Sequence, residues 1–497
     1  MSPRCPSLLE LLHPDGIAHR SLVIGSNAPT TLLLQSRTEP GQYADLVILA
    51  PTVPECRTTG WLEEAAQSLA RQLATHGVAY VVAPPRWRFR IKHLLHDHGL
   101  SVELPIIHLP DHAANRYLVP LSPAPARYAF SKLLPIPRWG SALAMIGLRL
   151  PGCERLLGNV LPSVGFVARH PGARPLFDWL FRLDCGRRRS GSAVISTSWR
   201  GKDGAVIIHR FLGCDATPSA VAKMNLTMKN SENRVGEAKM LACLGPSARS
   251  AGARIPQPLH LGQLNDHPVL LQSVVGGLPI APLLASRPNQ LPDLMERLVV
   301  WLEHWNRSTM ATTPLDRKLL DQEILAPAAL LAPLLEQGGE YHDWLTGRCA
   351  AVAGATTTLV ATHNDLTMWN VLLDEQRRLG VLDWEAAREG GLPLVDFFYA
   401  MTDAVAAARG YVDRQKAFEA CFSPAGTYAH AVARLLKRLR DVIEIPDEVA
   451  ELCFHACWLH HAANEHRVAV AGAPRPFFKI VQQLALHRHQ FRWWLKR

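Results

Sequence analysis

His363, Asp365, Asn370 and Asp383 follow one another as H-x-D-x-x-x-x-N, an apolar run, then D. The full stretch reads His363-Asn364-Asp365-Leu366-Thr367-Met368-Trp369-Asn370, with Val381-Leu382-Asp383-Trp384-Glu385 after it. Such a set supplies one candidate base and two oxygen ligands for a hard cation. Metal-assisted phosphoryl transfer needs those parts held rigidly, because positioning and electrostatics carry most of that chemistry.

Short strands are expected to hold them. Thr358–Ala361 precedes the motif, and Val371–Leu373 follows it. The turn Asp374–Arg378 should fold Val371–Leu373 onto Leu379–Leu382 as a hairpin. Upstream, Ala193–Trp199 and Ala205–His209 flank Arg200-Gly201-Lys202-Asp203-Gly204, a second hairpin with two glycines at its tip. Ser219–Lys223 is a strand ending in lysine, and Glu237 sits on a helical stretch, Arg234–Leu244. Val269–Gln272 is one more strand before Gly276-Gly277. Residues 286–348 and 396–490 read as helices. Cys453, Cys457 and His461 share one helical face, but a single helix cannot wrap a tetrahedral metal, so a core role is expected for them.

The N-terminal part is different. Residues 1–125 alternate strand-like runs (Ser21–Ile24, Thr31–Leu34, Leu46–Leu49, Val78–Val82, Tyr117–Pro120) with helix-like ones (Trp61–Thr75, Arg86–His98). This predicts an α/β, Rossmann-like layer with a largely parallel sheet. Residues 126–190 form a connector rich in Pro, Gly and Arg, closing with Arg187-Arg188-Arg189. Helices packed between two domains are the expectation there. A weak membrane-surface contact through an amphipathic element is the alternative.

Whole-chain properties narrow the classes. At 497 residues the chain is too long for one core. The charge of +10 is expected of a moderately basic soluble protein and is compatible with an anionic partner, but no stretch interleaves basic and aromatic residues as nucleic-acid binding would require. Ten scattered cysteines suggest a reducing compartment. The apolar run Trp139–Leu148 is too short to span a bilayer, and no signal peptide is read at the N-terminus. A cytoplasmic protein is therefore expected.

The order of glycine hairpin, strand lysine, helix glutamate, H-x-D-x-x-x-x-N, strand and Asp resembles the aminoglycoside phosphotransferase and choline kinase group. So does the later Gly391-Leu392-Pro393-Leu394-Val395-Asp396. The resemblance implies a two-lobed, α+β protein-kinase-like fold, with an N-lobe at 191–275 and a C-lobe with a helical acceptor pocket at 276–497. It implies transfer of a nucleotide γ-phosphoryl group to the hydroxyl of a small acceptor, with Mg²⁺ and ATP or GTP. Asp365 would be the base, and Asn370 and Asp383 the metal ligands. Lys223, oriented by Glu237, would hold phosphates, with Gly201 and Gly204 lying over them. His363 and Asp396 would support the loop. The Arg200–Gly204 loop is short and basic where related proteins often carry Gly, Ser and Asn, which keeps a kinase-like scaffold with a docking domain as the alternative. Residues 1–125 also resemble, more loosely, a class I methyltransferase domain: an early strand ends in Gly25, and Asp45 precedes an apolar strand. That likeness would imply an S-adenosylmethionine site, yet only Gly25 remains of the glycine-rich loop, and Gln35-Ser36-Arg37 stands where an acidic residue is expected.

Overall fold

Leu46 and Ile48 pack on one face of their strand and Val47 and Leu49 on the other, and all four are buried. A strand covered on both faces needs helices or loops above and below it, as the alternating pattern of residues 1–125 demands. The computed structural model describes residues 8–16, 18, 20–25, 43–109, 116–134, 164–183, 191–197, 205–213, 215–226, 232–264, 266–468 and 475–496. Two compact units emerge, Met1–Ala238 with Pro258–Val274, and Lys239–Gln257 with Val275–Arg497.

One sheet of 11 strands runs through the first unit. Its strands are β1 (Ser21–Ile24), β2 (Ala44–Leu49), β3 (Leu73–Val81), β4 (Ser101–Leu109), β5 (Tyr117–Pro120), β6 (Val164–Arg169), β7 (Gly191–Thr197), β8 (Ala205–Leu212), β9 (Ala220–Asn225), β10 (Pro258–Leu264) and β11 (His267–Gln272). Their order is β1-β2-β3-β6-β4-β5-β7-β8-β9-β11-β10. Helices α1 (Trp61–Gln72) and α2 (Pro85–Asp97) cover one face, with Leu62, Leu69, Ile91 and Leu95 against Val47, Leu49, Val81 and Phe166. The opposite face packs on Leu8, Leu11, Leu12 and Phe177–Phe181, and its core continues without a break into Ile195, Ile208, Ala222 and Leu271.

The sheet expected to be largely parallel is mixed. Among the described residues, only β1–β2 and β2–β3 of this sheet pair in parallel. Strand β6 inserts antiparallel between β3 and β4, and β4 pairs antiparallel with β5. The link from Leu109 to Tyr117 is shorter than the crossover a parallel pair requires, so β4 and β5 must run in opposite directions. Strand β6 arises from the stretch read as a connector, where no strand was expected. Strand β5 then pairs with β7 through Tyr117↔Ser196 and Leu118↔Ile195. The sheet therefore passes without interruption across the boundaries placed at 125/126 and 190/191. The expected strand Thr31–Leu34, the Trp139–Leu148 run, Arg187–Arg189 and the glycines Gly201 and Gly204 lie outside the described residues.

The second unit is mostly helical. Its main helices are α4 (Leu291–Thr309), α5 (Gly338–Val352), α6 (Val395–Ala408), α7 (Arg414–Phe422), α8 (Ala429–Ile443), α9 (Asp447–Val468) and α10 (Pro476–His487), while α3 (Glu232–Ser250) opens in the first unit. Two small sheets order as β12 (Leu278–Pro279)–β15 (Val371–Leu373)–β16 (Leu379–Val381), and as β13 (Ala311–Pro314)–β14 (Thr356–Thr362)–β17 (Arg388–Gly391). Among the described residues no helix is long and apolar enough to cross a membrane.

Apolar residues recur along α4 at 291, 294, 295, 298, 302 and 305, the period of one helix face. That face carries Trp305, whose Nε1 donates to Ala361 O at the end of β14 (2.7 Å) and whose ring lies 5.3 Å from the fully buried Trp384. Cys453 and Cys457 are buried in the core on α9, where burial pushes both thiols up, while His461 stacks on Tyr399 at 3.6 Å.

Candidate active site

In the first unit, Lys223 lies in β9 between β8 and β11, paired with Ile207 and Leu270. Its Nζ donates to Glu237 Oε1 at 2.7 Å. Arg234 Nη1 donates to the other oxygen, Glu237 Oε2, at 2.5 Å. All three side chains are buried. A buried carboxylate gripped by two cations has its lone pairs satisfied, and losing one partner would leave uncompensated charge. Arg234 was not singled out from the sequence, although its i,i+3 spacing to Glu237 was a readable signal. Glu232, at the start of the same helix, is exposed.

In the second unit, the stretch 363–370 links β14 to β15 and is fixed largely by its own backbone. Asp396, at the start of α6, accepts the N–H of His363 on Oδ2 (2.7 Å) and the N–H of Asn364 on Oδ1 (2.8 Å). Asn364 takes a left-handed backbone, φ 62°, and its Nδ2 donates to Ala386 O. Asn tolerates that region better than most residues, and strained backbone concentrates at functional sites. His363 Nε2 lies 2.8 Å from Leu382 O, which can only accept, while Nδ1 faces the Asp365 N–H at 3.3 Å. These two contacts fix the tautomer with its proton on Nε2. His363 is thereby tied to the Leu382–Asp383 segment, with its ring edge-on to Trp384 at 4.9 Å.

Asn370 Nδ2 donates to Asp365 O (2.9 Å) and to Asp365 Oδ2 (3.1 Å). This leaves the amide oxygen of Asn370 on the opposite side from Asp365. Asp383 follows the hairpin β15–β16, whose register Val371↔Val381 sets Asn370 and Leu382 alongside, joined by the bond Leu382 N–H to Asn370 O at 2.8 Å. Asp383 has φ 65°, a second left-handed non-glycine residue. The carboxyl of Asp365 is pushed up to about 7, first by burial, then by the negative charges of Asp383 and Asp403, with the Asn370 hydrogen bond opposing. An acid so placed can take a proton near neutral pH.

The donors at Asn370 and Asp383 suit Mg²⁺. One charged oxygen and one neutral amide oxygen leave room for the phosphate and water ligands this ion prefers.

Asp403 lies beneath the 365–370 loop, where its Oδ2 accepts the Met368 N–H at 2.7 Å. The signal was its spacing, because Asp396 and Asp403 are seven residues apart on α6 and so share a face.

Residues 232–436 match the model of the phosphotransferase enzyme family. No curated protein matches the sequence. Among solved structures, the chain is similar to an aminoglycoside phosphotransferase from Streptomyces rimosus, at 14% identity over 57% of this chain and 97% of that one, with a TM-score of 0.36. It is similar to a macrolide 2'-phosphotransferase from Brachybacterium faecium at 16% identity, 59% and 92% coverage and a TM-score of 0.34. A choline kinase from Streptococcus pneumoniae aligns at 14% identity, 59% and 88% coverage and a TM-score of 0.29. The matched residues 232–436 include the stretch His363–Asp396 that carried the resemblance read from the sequence, and they are similar to the phosphotransferase enzyme family.

Proposed function

We propose that the protein is a small-molecule phosphotransferase that moves the γ-phosphoryl group of ATP or GTP to a hydroxyl of its acceptor. The observation that carries this reading is the fixed Asp365–Asn370 pair, in which one amide group orients the carboxylate and turns its own oxygen away from it. Asp365 orients the acceptor hydroxyl and takes its proton as the new oxygen–phosphorus bond forms. The bond from the γ-phosphorus to the bridging oxygen breaks, and the nucleoside diphosphate leaves with that oxygen. Asn370 and Asp383 would hold Mg²⁺, which neutralises charge on the phosphate oxygens when bound. Lys223 holds phosphate oxygens, and Glu237 keeps its ammonium group in place against the neighbouring strands. His363 and Asp396 keep the loop still. Residues Gly201 and Gly204 cover the phosphates in this reading.

For the N-terminal Rossmann-like layer we infer a structural role over a cofactor site. Its strands share one sheet and one core with β7–β11, which supports a part built into the fold. In this reading the ten scattered cysteines of the sequence fit a reducing, cytoplasmic setting.

The test is release of ADP or GDP from Mg·ATP or Mg·GTP across a panel of sugars, amino alcohols and aminoglycosides. Acceptor-dependent release that disappears in Asp383→Ala supports the reading. Thermal titration with each nucleotide separates the scaffold alternative, since a ligand bound only by the native state must raise Tm. No shift with either nucleotide and no release would favour the scaffold.

A further inference from the structure

Helix α6 meets the 363–370 loop at two places. Asp396 accepts two backbone N–H groups before Asp365, and Asp403 accepts one after it, at Met368. The two carboxylates sit two turns apart on one helix face, with Tyr399 between them. Only the first grip was legible in the motif. The second is itself held from outside the helix. Arg414 Nη1 donates to Asp403 Oδ1 at 2.6 Å, and the Tyr411 hydroxyl donates to Asp403 Oδ2 at 2.9 Å. The Arg414 guanidinium lies over two rings, Tyr411 at 4.9 Å and Phe477 at 5.2 Å. Asp403 is fully buried.

The turn from α6 to α7 is shaped to deliver these partners. Gly410 takes φ 67°, and the Tyr411 N–H reaches back to Ala406 O at 2.8 Å, a helix stop that turns the chain under the helix end. Tyr411 itself takes φ 58°, a costly conformation for an aromatic residue. That conformation brings its hydroxyl to a carboxylate eight residues earlier. A strained residue, a buried ion pair and a stacked guanidinium spent on one backbone N–H call for an explanation beyond filling the core. A buried ion pair is weak evidence for stability, and fixing one geometry is its better use.

We propose that Arg414, Tyr411 and Asp403 form a positioning relay that sets the backbone at Met368, and through it the distance between Asp365 and Asn370. Asp403 is the positioning residue, and Arg414 acts through it. The relay is a second clamp on the loop, independent of Asp396. It rests on the phosphotransferase reading for its catalytic consequence alone.

The test uses the full chain with Asp403→Asn, Arg414→Met, Arg414→Lys and the double variant Asp403→Asn/Arg414→Met. Two readouts are taken. The first is amide hydrogen exchange of the 364–372 segment against that of α4 as an internal reference, which needs no turnover. The second is acceptor-dependent release of ADP or GDP from Mg·ATP or Mg·GTP, with kcat and the nucleotide KM separated. Faster exchange confined to 364–372 in Arg414→Met, largely restored in Arg414→Lys, is the expected result. A fall in kcat of about 10²-fold with an unchanged nucleotide KM is expected for Asp403→Asn, the scale of loss for a small misplacement of reacting groups. The double variant should be no worse than Asp403→Asn alone, as two parts of one relay require. Unchanged exchange at 364–372, or exchange raised equally in α4, would overturn the relay whatever the activity. A wild-type chain without acceptor-dependent release of ADP or GDP across the panel, but with the exchange response intact, would overturn the phosphotransferase reading and leave the relay standing.

Discussion

Asp365 ionises where its surroundings resist it. In the folded chain its carboxyl releases a proton near pH 7, against 3.8 ordinarily. Between those values the native state binds the extra proton, so stability falls as pH rises from 4 to 7, and the cost is fully present above 7. A shift of this size corresponds to about 4 kcal/mol. Asp365→Asn should therefore abolish turnover yet raise Tm at pH 8, measured without Mg²⁺, with the gain shrinking as pH approaches 4. A variant less stable than wild type at pH 8 would contradict that placement of the charge. Glu237 behaves oppositely. Glu237→Gln leaves Lys223 and Arg234 buried without their shared anion, and should destabilise by about 3–5 kcal/mol in urea melts. The sequence displayed the polar residues of 363–385 because their spacing is local. Arg234 and Asp403 were marked by spacing alone, and the contacts of Asp403 and Arg414 depend on which distant segments meet.

At the scale of elements, hairpin β15–β16 carries Asn370 before its first strand and Asp383 after its second, both at its open end. Its turn was legible from Asp374–Arg378. The backbone bonds Arg377 N–H to Asp374 O (3.0 Å) and Asp374 N–H to Arg378 O (3.1 Å) close it, with Arg377 at φ 60°. Glycine is the residue such a position favours. Arg377→Gly should raise stability by about 1 kcal/mol through relief of that strain. Its ion pair with Asp293 is at the surface and offsets little of this gain. Nucleotide turnover should be unchanged; a large drop in turnover would show that the turn does more than join two strands. The left-handed residues Asn364 and Asp383 could not be foreseen in the same way. Neither is glycine, so no composition signal marks them, and the hydrogen bonds that hold Asn364 come from Asp396 and Ala386, distant in sequence.

At the scale of the molecule, strand periodicity pointed to an α/β layer and motif order to a resemblance with phosphotransferases, but neither pointed to the continuity of the sheet. Strand β6 was missed because Val164–Arg169 sits in a Pro- and Arg-rich stretch whose pairing partners lie far away in sequence. The shared sheet has a consequence for truncation. Residues 191–497 alone would leave β7 without its partner β5, and would strip Leu8–Leu12 and Phe177–Phe181 from the common core. An unpaired edge over an exposed apolar face aggregates. That fragment should elute as aggregate in size-exclusion chromatography and lack a cooperative melt. A monomeric fragment with the Tm of the full chain would contradict the continuous core. The central claim is phosphoryl transfer dependent on Asp365. The most direct measurement compares wild type with Asp365→Asn for ADP or GDP release from Mg·ATP or Mg·GTP, while Tm shifts confirm that both proteins still bind the nucleotide. Release lost in Asp365→Asn with nucleotide binding retained is the predicted result. Equal release by the two proteins would contradict it.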